Sequence, residues 1–267
     1  MNEMPKNKTN SDADQNQVVR QVPTMANVHD EFAEAFRESN KLPTWVYVGR
    51  PAMERLLAPF FARGAGTKFL DLGSASGRIE TDLLLPHGVA ARDITGVEIS
   101  PRQVEMAKAR IPGANFILGD ITNVALPSDT FDVAFSHMVF EHLDDEQFLA
   151  VCKNTYVALK PGGTFAFVMT HPDRMVDIDG NLIKEYGPFT TMAPWGVELR
   201  NWRRSISQTI NTIKTVGFEV ELTEEIKFPE PTRDLDPKIY ATQMHNYMIF
   251  KKYPAIRLSI KAIKPEV

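Results

Sequence analysis

Three carboxylates stand at the ends of short apolar runs. Asp71 follows Phe69-Leu70, Glu98 follows Ile94-Thr-Gly-Val97, and Asp120 follows Phe116-Ile-Leu-Gly119. Between the first and second lies the small-residue segment Gly73-Ser74-Ala75-Ser76-Gly77. Such a loop lets a ligand approach the backbone closely, and Gly73 and Gly77 tolerate the tight turns it needs. Glu98, about twenty residues past Gly77, is placed to accept hydrogen bonds from both hydroxyls of a ribose. Asp120 can accept from an exocyclic amine of adenine, and Ile99 and Ile121 can sandwich the ring. Two histidines, His137 and His171, close later apolar runs, where an imidazole can orient a substrate or take its proton near neutral pH.

The elements that would position these groups are legible from residue 68 onward. Strands are expected at 68–72, 93–98, 115–119, 131–136 and 164–170, with helices at 76–86, 101–110 and 145–159. Such alternation implies a parallel sheet with right-handed crossovers, and ligands bind such sheets at the carboxyl ends of the strands. Ser100-Pro101 reads as a helix N-cap followed by proline at the first helical position. Asp144-Asp145 reads as an N-cap rather than a metal site, and Pro161-Gly162-Gly163 stops the third helix. Two further helices are expected at 28–39 and 50–63. Residues 172–202 break the rhythm with prolines, glycines and the aromatics Tyr186, Phe189, Trp195 and Trp202. That is too long for a plain connection and is read as a lid over the sheet edge. A helix at 203–216, ended by Gly217, precedes strands at 218–226 and 246–253 or beyond, which complete the sheet as an antiparallel pair.

The bulk numbers fit one α/β domain over residues 25–267, with residues 1–24 a disordered polar tail. The 267 residues carry a net charge of −4, so nothing marks nucleic acid as a partner. The single cysteine, Cys152, excludes an internal disulfide and a Cys-rich zinc site, and reads as a small buried apolar residue. No apolar run is long enough to span a bilayer, and the polar N-terminus has no signal-peptide pattern; a cytoplasmic setting is expected.

Five segments occur in order: Leu70-Asp-Leu-Gly-Ser-Ala-Ser-Gly77, Gly96-Val-Glu-Ile-Ser100, Gly119-Asp120-Ile121, Phe131-Asp-Val-Ala-Phe-Ser136 and Leu159-Lys-Pro-Gly-Gly163. Together they resemble the motifs of class I S-adenosylmethionine-dependent methyltransferases over about residues 50–170. The resemblance implies a Rossmann-like α/β fold: a seven-stranded sheet, mostly parallel with an antiparallel last strand, and helices on both faces. A helical N-terminal segment at 25–63 and the lid at 172–203 are added to it. It implies that loop 71–77, including Asp71, Gly73, Ser74, Ala75 and Gly77, wraps the methionyl part of the cofactor. Glu98 and Ile99 then hold the ribose and adenine, Asp120 and Ile121 read the adenine, and Ser136 and His137 line the methyl-transfer face. Tyr47 or Arg50 would contact the cofactor's carboxylate. Ala75 stands where the family's middle glycine usually is, and it fits if its φ is negative.

Competing glycine motifs fail on their residues. A nucleophile elbow needs Ser at position 75, a Walker loop needs Lys after Gly77, and the dinucleotide fingerprint G-x-G-x-x-G is missing. The expected reaction is methyl transfer to a small organic metabolite by in-line displacement, without metal. His171 and His137 are the acid–base or orienting candidates, with His142 behind them. Absent signatures argue against methylation of base or glutamine amines, cytosine C5 chemistry and metal-dependent catechol chemistry. Tyr186, Trp195 and Trp202 would wall the acceptor pocket, with Arg203 or Arg204 holding an anionic group. A nicotinamide-dependent oxidoreductase, a non-catalytic cofactor sensor and a non-methylating reaction on the same fold are the alternatives.

Overall fold

In a computed structural model, which describes residues 25–34, 41–193 and 196–266, seven strands form one sheet. They are β1 (Phe69–Leu72), β2 (Ile94–Glu98), β3 (Asn115–Leu118), β4 (Phe131–His137), β5 (Leu159–Thr170), β8 (Glu219–Ile226) and β9 (Arg257–Ile263). Their order is β3-β2-β1-β4-β5-β9-β8. Strands β1 to β5 run parallel; β9 is antiparallel to both β5 and β8. The remaining strands, β6 (Gly187–Met192) and β7 (Glu198–Arg203), pair as a separate antiparallel hairpin within the expected lid.

The central strands β1, β4, β5 and β9 are buried on both faces, as their near-continuous apolar runs require. Leu70, Leu72, Ala134, Phe165 and Phe167 point to one face. There they meet Phe148, Val151 and Cys152 of helix α4 (Asp145–Ala158) and Ile213 of α5 (Ile206–Val216). Phe69, Val133, Phe135, Ala166 and Val168 point to the other, against Met53, Leu57 and Phe60 of α2 (Arg50–Phe61) and Ile79, Leu83 and Leu84. The period of two in the strands is thus answered by helices on each side. Helix α3 (Pro101–Arg110) begins as its sequence predicts, with the Ser100 hydroxyl accepting from the Gln103 N–H. Asp144 caps α4 in a reciprocal capping box with Gln147.

Several boundaries differ from the expectation. Residues 80–84 form a wide π-helical turn rather than the middle of a long α-helix, and a second π turn, Trp45–Gly49, leads into α2. Residues 246–250 are helical, not extended: they end α6 (Pro237–Phe250), and the last strand lies further on as β9. The aromatic run there suits a strand by composition. The cap decides otherwise, because Asp236 accepts from the N–H groups of Lys238 and Ile239 and Pro237 sits at the first helical position. Tyr247 and Phe250 then pack onto Val48, Phe228 and Ile256. The first helix, α1, is seen over Met25–Glu31; the expected tail at 1–24 lies outside the described residues.

Candidate active site

Every carboxyl end of the parallel strands opens into one cleft of about 1210 Å³. Its first half is lined by Asp71, Gly73, Ser74, Ala75, Glu98, Ile99, Gly119, Asp120 and Ile121, the set expected from the sequence. The loop after β1 is fixed by the neighbouring strand, with the Gly73 and Ser74 N–H groups donating to the Val97 carbonyl. Gly73 has φ +85°, and a Cβ built there would lie 2.5 Å from a Val139 methyl, so glycine is required.

Ala75 corrects the sequence reading: its φ is +46°, not negative. An L-residue pays about 1–2 kcal/mol for that conformation. The loop keeps it because the Ala75 N–H donates to Glu98 Oε2 at 2.9 Å. Glu98 Oε1 accepts from the Ser100 N–H at 2.9 Å, so this buried carboxylate bridges the cofactor loop and the start of α3. Burial outweighs these bonds and leaves the carboxyl raised above its usual range. Asp120 folds back on itself, with Oδ1 accepting from the Thr122 N–H.

Asp71 is buried, and its Oδ1 has no hydrogen-bond partner. Beside it Glu80 is fully buried, its carboxyl set against that of Asp71. Burial and then the charge of Glu80 push Asp71 up; burial pushes Glu80 up to about 7. Two carboxyls in one dry site ionise together only at high cost, so the pair retains a proton.

The second half of the cleft is built from β4, β5, β9, the N-terminal turn and the lid. His137, Met138, Thr170, Arg174, Arg257 and Trp45 line it, with Phe189, Thr190, Asn201 and Trp202 from the hairpin above. Arg78 Nη2 lies 3.3 Å from His137 Nδ1 and its guanidinium stacks on the Trp45 ring at 4.4 Å. A guanidinium only donates, so Nδ1 accepts and the ring proton sits on Nε2. Burial, then the charges of Arg78 and Arg257, hold His137 well below its ordinary range. It is a neutral, oriented imidazole whose lone pair is already used.

The remaining sequence candidates separate clearly. His171 is fully buried and does not line the cleft: Nε2 donates to Glu225 Oε2 at 2.9 Å, and Nδ1 accepts from the Asp173 N–H. Both ring nitrogens are spent on joining β5 to β8, which corrects its assignment as an acid–base group. Ser136 donates to the Leu72 carbonyl at 2.7 Å, tying β4 to β1 beneath the cleft. Gly77, φ +77°, turns the chain against Ile111 outside the lining. Tyr47 packs edge-on to Phe228, and Arg50 is exposed at the start of α2; neither reaches the cleft. Arg203 is a strut, bonded to the carbonyls of Pro172 and Lys184 and to Asp173, while Tyr186 lies exposed over its guanidinium. Arg204 likewise ties Asp145 to the Phe140 and Leu143 carbonyls. Trp202 does line the cleft, with its indole N–H buried and unpartnered. Trp195 lies outside the described residues.

Sequence reasoning missed Arg78, Arg174 and Arg257. Arg257 left a signal, a cation inside the apolar strand Ile256-Arg-Leu-Ser-Ile. Among the described residues, no group of three His, Cys, Asp or Glu is placed to hold a metal ion. No helix among them is long and apolar enough to cross a membrane.

A glycine-built loop, a bridging carboxylate after β2 and an acid after β3, on a sheet with one reversed strand, are the features that the resemblance to class I S-adenosylmethionine-dependent methyltransferases implies. Residues 70–167 match the family model described as a methyltransferase domain. It is 30% identical over 162 residues to a protein of Mycolicibacterium smegmatis named a probable S-adenosylmethionine-dependent methyltransferase, covering 60% of this chain and 55% of that one. It is 33% identical over 129 residues to a trans-aconitate 2-methyltransferase of Rhodopseudomonas palustris, covering 48% and 46%. The chain thus spans about half the length of the curated relatives it matches. In fold it is similar to an S-adenosylmethionine-dependent methyltransferase from Mesorhizobium loti, with a TM-score of 0.59 at 21% identity, over 84% of this chain and 99% of that one. The residues present fit the cofactor of this class. Asp71 Oδ1 and Ser74 Oγ are buried acceptors without partners, and the space at Gly73 is one that a side chain would close.

Proposed function

We propose that the protein transfers a methyl group from S-adenosylmethionine to a small organic molecule, by in-line displacement and without a metal. The observation that carries this reading is the union, in one cleft, of the Glu98–Ala75 cradle with a largely apolar chamber under an aromatic hairpin. S-adenosylmethionine, when bound, supplies an electrophilic methyl on a positively charged sulfur and carries its own leaving group. The protein's work is therefore mainly positioning. Glu98 takes the ribose hydroxyls, Asp120 with Ile99 and Ile121 takes the adenine, and Asp71 with loop 73–75 takes the methionyl end. His137, held neutral by burial and by Arg78, walls the methyl-transfer face as an orienting group. Where an acceptor must lose a proton, His142 Nδ1, buried in the cleft without a partner, is the nitrogen available to take it.

Residues 25–267 act in this reading as one methyltransferase domain, with 25–63 as an N-terminal cap and 172–203 as the lid, in the cytoplasm. Val28 of α1 packs on Ala193 and Leu199 of the lid, which supports joint closure of cap and lid over the acceptor. The small-molecule reading is supported by the relative named for trans-aconitate. Calorimetry with S-adenosylmethionine and NAD, followed by a screen of metabolites for S-adenosylhomocysteine release, tests it. Binding of NAD in preference, or binding of S-adenosylmethionine without release for any acceptor, returns the oxidoreductase or sensor alternative.

A further inference from the structure

We infer that the acceptor half of the cleft is a carboxylate seat formed by Arg257 and Arg174, so that the methyl acceptor is a small organic acid. The inference rests on the methyltransferase reading and names the substrate class for the same site. Arg257 opens β9 and pairs in register with Thr170, the last residue of β5, so it stands at the carboxyl edge of the parallel strands. It is 5% exposed and lines the cleft. Among the described residues its five N–H donors make one bond, from Nη1 to the carbonyl of its own neighbour Ile256 at 3.0 Å, and Nε is buried with no partner among them. Arg174 lines the same wall, its guanidinium over the Phe250 ring at 4.9 Å. A buried guanidinium with most of its donors unanswered is costly, and a carboxylate answers its fork with two parallel bonds.

The nearby charges fix the kind of anion. Glu141 is the acid beside both arginines, and its Oε1 is already committed to the hydroxyl and N–H of Thr170. With Arg78 also acting on Arg257, the guanidiniums at this wall outnumber the one carboxylate that faces them, which suits an organic anion. Burial and the charge of Arg174 draw Arg257 down to about 9, so it remains a cation at neutral pH. The apolar wall beside the arginines, Met138, Met175 and Phe189, would take the rest of the molecule.

The test uses the full chain, with and without S-adenosylhomocysteine. Phenylacetate, octanoate and trans-aconitate, each beside its neutral amide, and phenyl phosphate are assayed for thermal stabilisation and, with S-adenosylmethionine, for turnover. At least one acid is expected to stabilise the protein and to be preferred over its amide at least about tenfold. Arg257→Gln and Arg174→Gln should each weaken that acid about 10–100-fold, while S-adenosylhomocysteine affinity changes little. Arg174 is only half-buried, so its variant decides the matter if Arg257→Gln does not fold. Acids no better than their amides, preference for the phosphate, or unchanged acid affinity in both variants overturns the seat. Failure of S-adenosylhomocysteine to bind removes the methyltransferase reading instead, and the stabilisation by acids alone still reports on the arginines.

Discussion

The two halves of the cleft are made of different material. Beneath the cofactor half lie β1, β2 and β3, and the site there is backbone: N–H groups of residues 73–75, a glycine with no room for a Cβ, and short carboxylates that leave their strands immediately. The acceptor half is made of long side chains sent from four separate elements, with Arg78, Arg174, Arg257 and Trp45 meeting only in space. Backbone sites are local and leave a signature in consecutive residues. Side-chain sites depend on which elements the fold brings together, and any of several positions can supply the group.

If that contrast is right, the most damaging single change lies in the backbone half. Gly73→Val places a side chain into Val139 at a φ of +85° and should abolish cofactor binding by calorimetry, a loss of at least about 100-fold, with circular dichroism largely kept. Binding within tenfold of the parent would break the comparison. Glu98→Ala should come next. Two backbone N–H groups lose their acceptor along with the ribose, and affinity should fall about 30–100-fold, taking roughly 2 kcal/mol of stability with it.

The Asp71–Glu80 pair sharpens the comparison through pH. Glu80 has a folded pKa of about 7 against an ordinary value of 4.5. A raised carboxyl contributes its full stability below the unfolded value and loses it as pH rises through the folded one. Glu80→Gln should therefore melt higher than the parent at pH 8, by up to about 3 kcal/mol of stability, with the gap closing toward pH 4.5. A gap that widens on acidification would reverse the assignment.

His171→Ala separates scaffold from acceptor site. Losing a fully buried ring and its bond to Glu225 should cost about 2–3 kcal/mol in denaturant titrations and leave KM for the acceptor within a few-fold. A selective fall in kcat with unchanged stability would restore the catalytic role that the sequence suggested. The smallest effect is expected for Ala75→Gly. Relief of the left-handed φ opposes the added freedom of the unfolded chain, so stability should move by less than about 1 kcal/mol and cofactor affinity by less than a few-fold.

The motif residues show how far reading along the chain reaches. Asp71, Gly73, Ser74, Ala75, Glu98, Ile99, Asp120 and Ile121 all meet in the cleft, because parallel strands in register carry their carboxyl ends to one edge. His171 shows where it stops. It ends a strand on that same edge, yet its ring turns away to Glu225 on β8, a partner 54 positions further along the chain. Arg203 and Tyr186 fail for the same reason: the hairpin faces the cleft with Phe189 and Trp202, while Arg203 anchors the hairpin's base.

By itself, then, the sequence determined the strand–helix alternation from residue 68 to 170, the cofactor loop and the two acids that follow it. Hydrophobic period, helix caps and glycine turns act over a few residues and are written where they act. The tertiary structure alone decided that residues 246–250 are helix, that Ala75 is left-handed, that Asp71 and Glu80 share a dry site, and that two arginines far apart in sequence face one pocket. Each of these is set by what packs against the residue across the sheet or beneath the lid, and that neighbour is chosen by the whole fold.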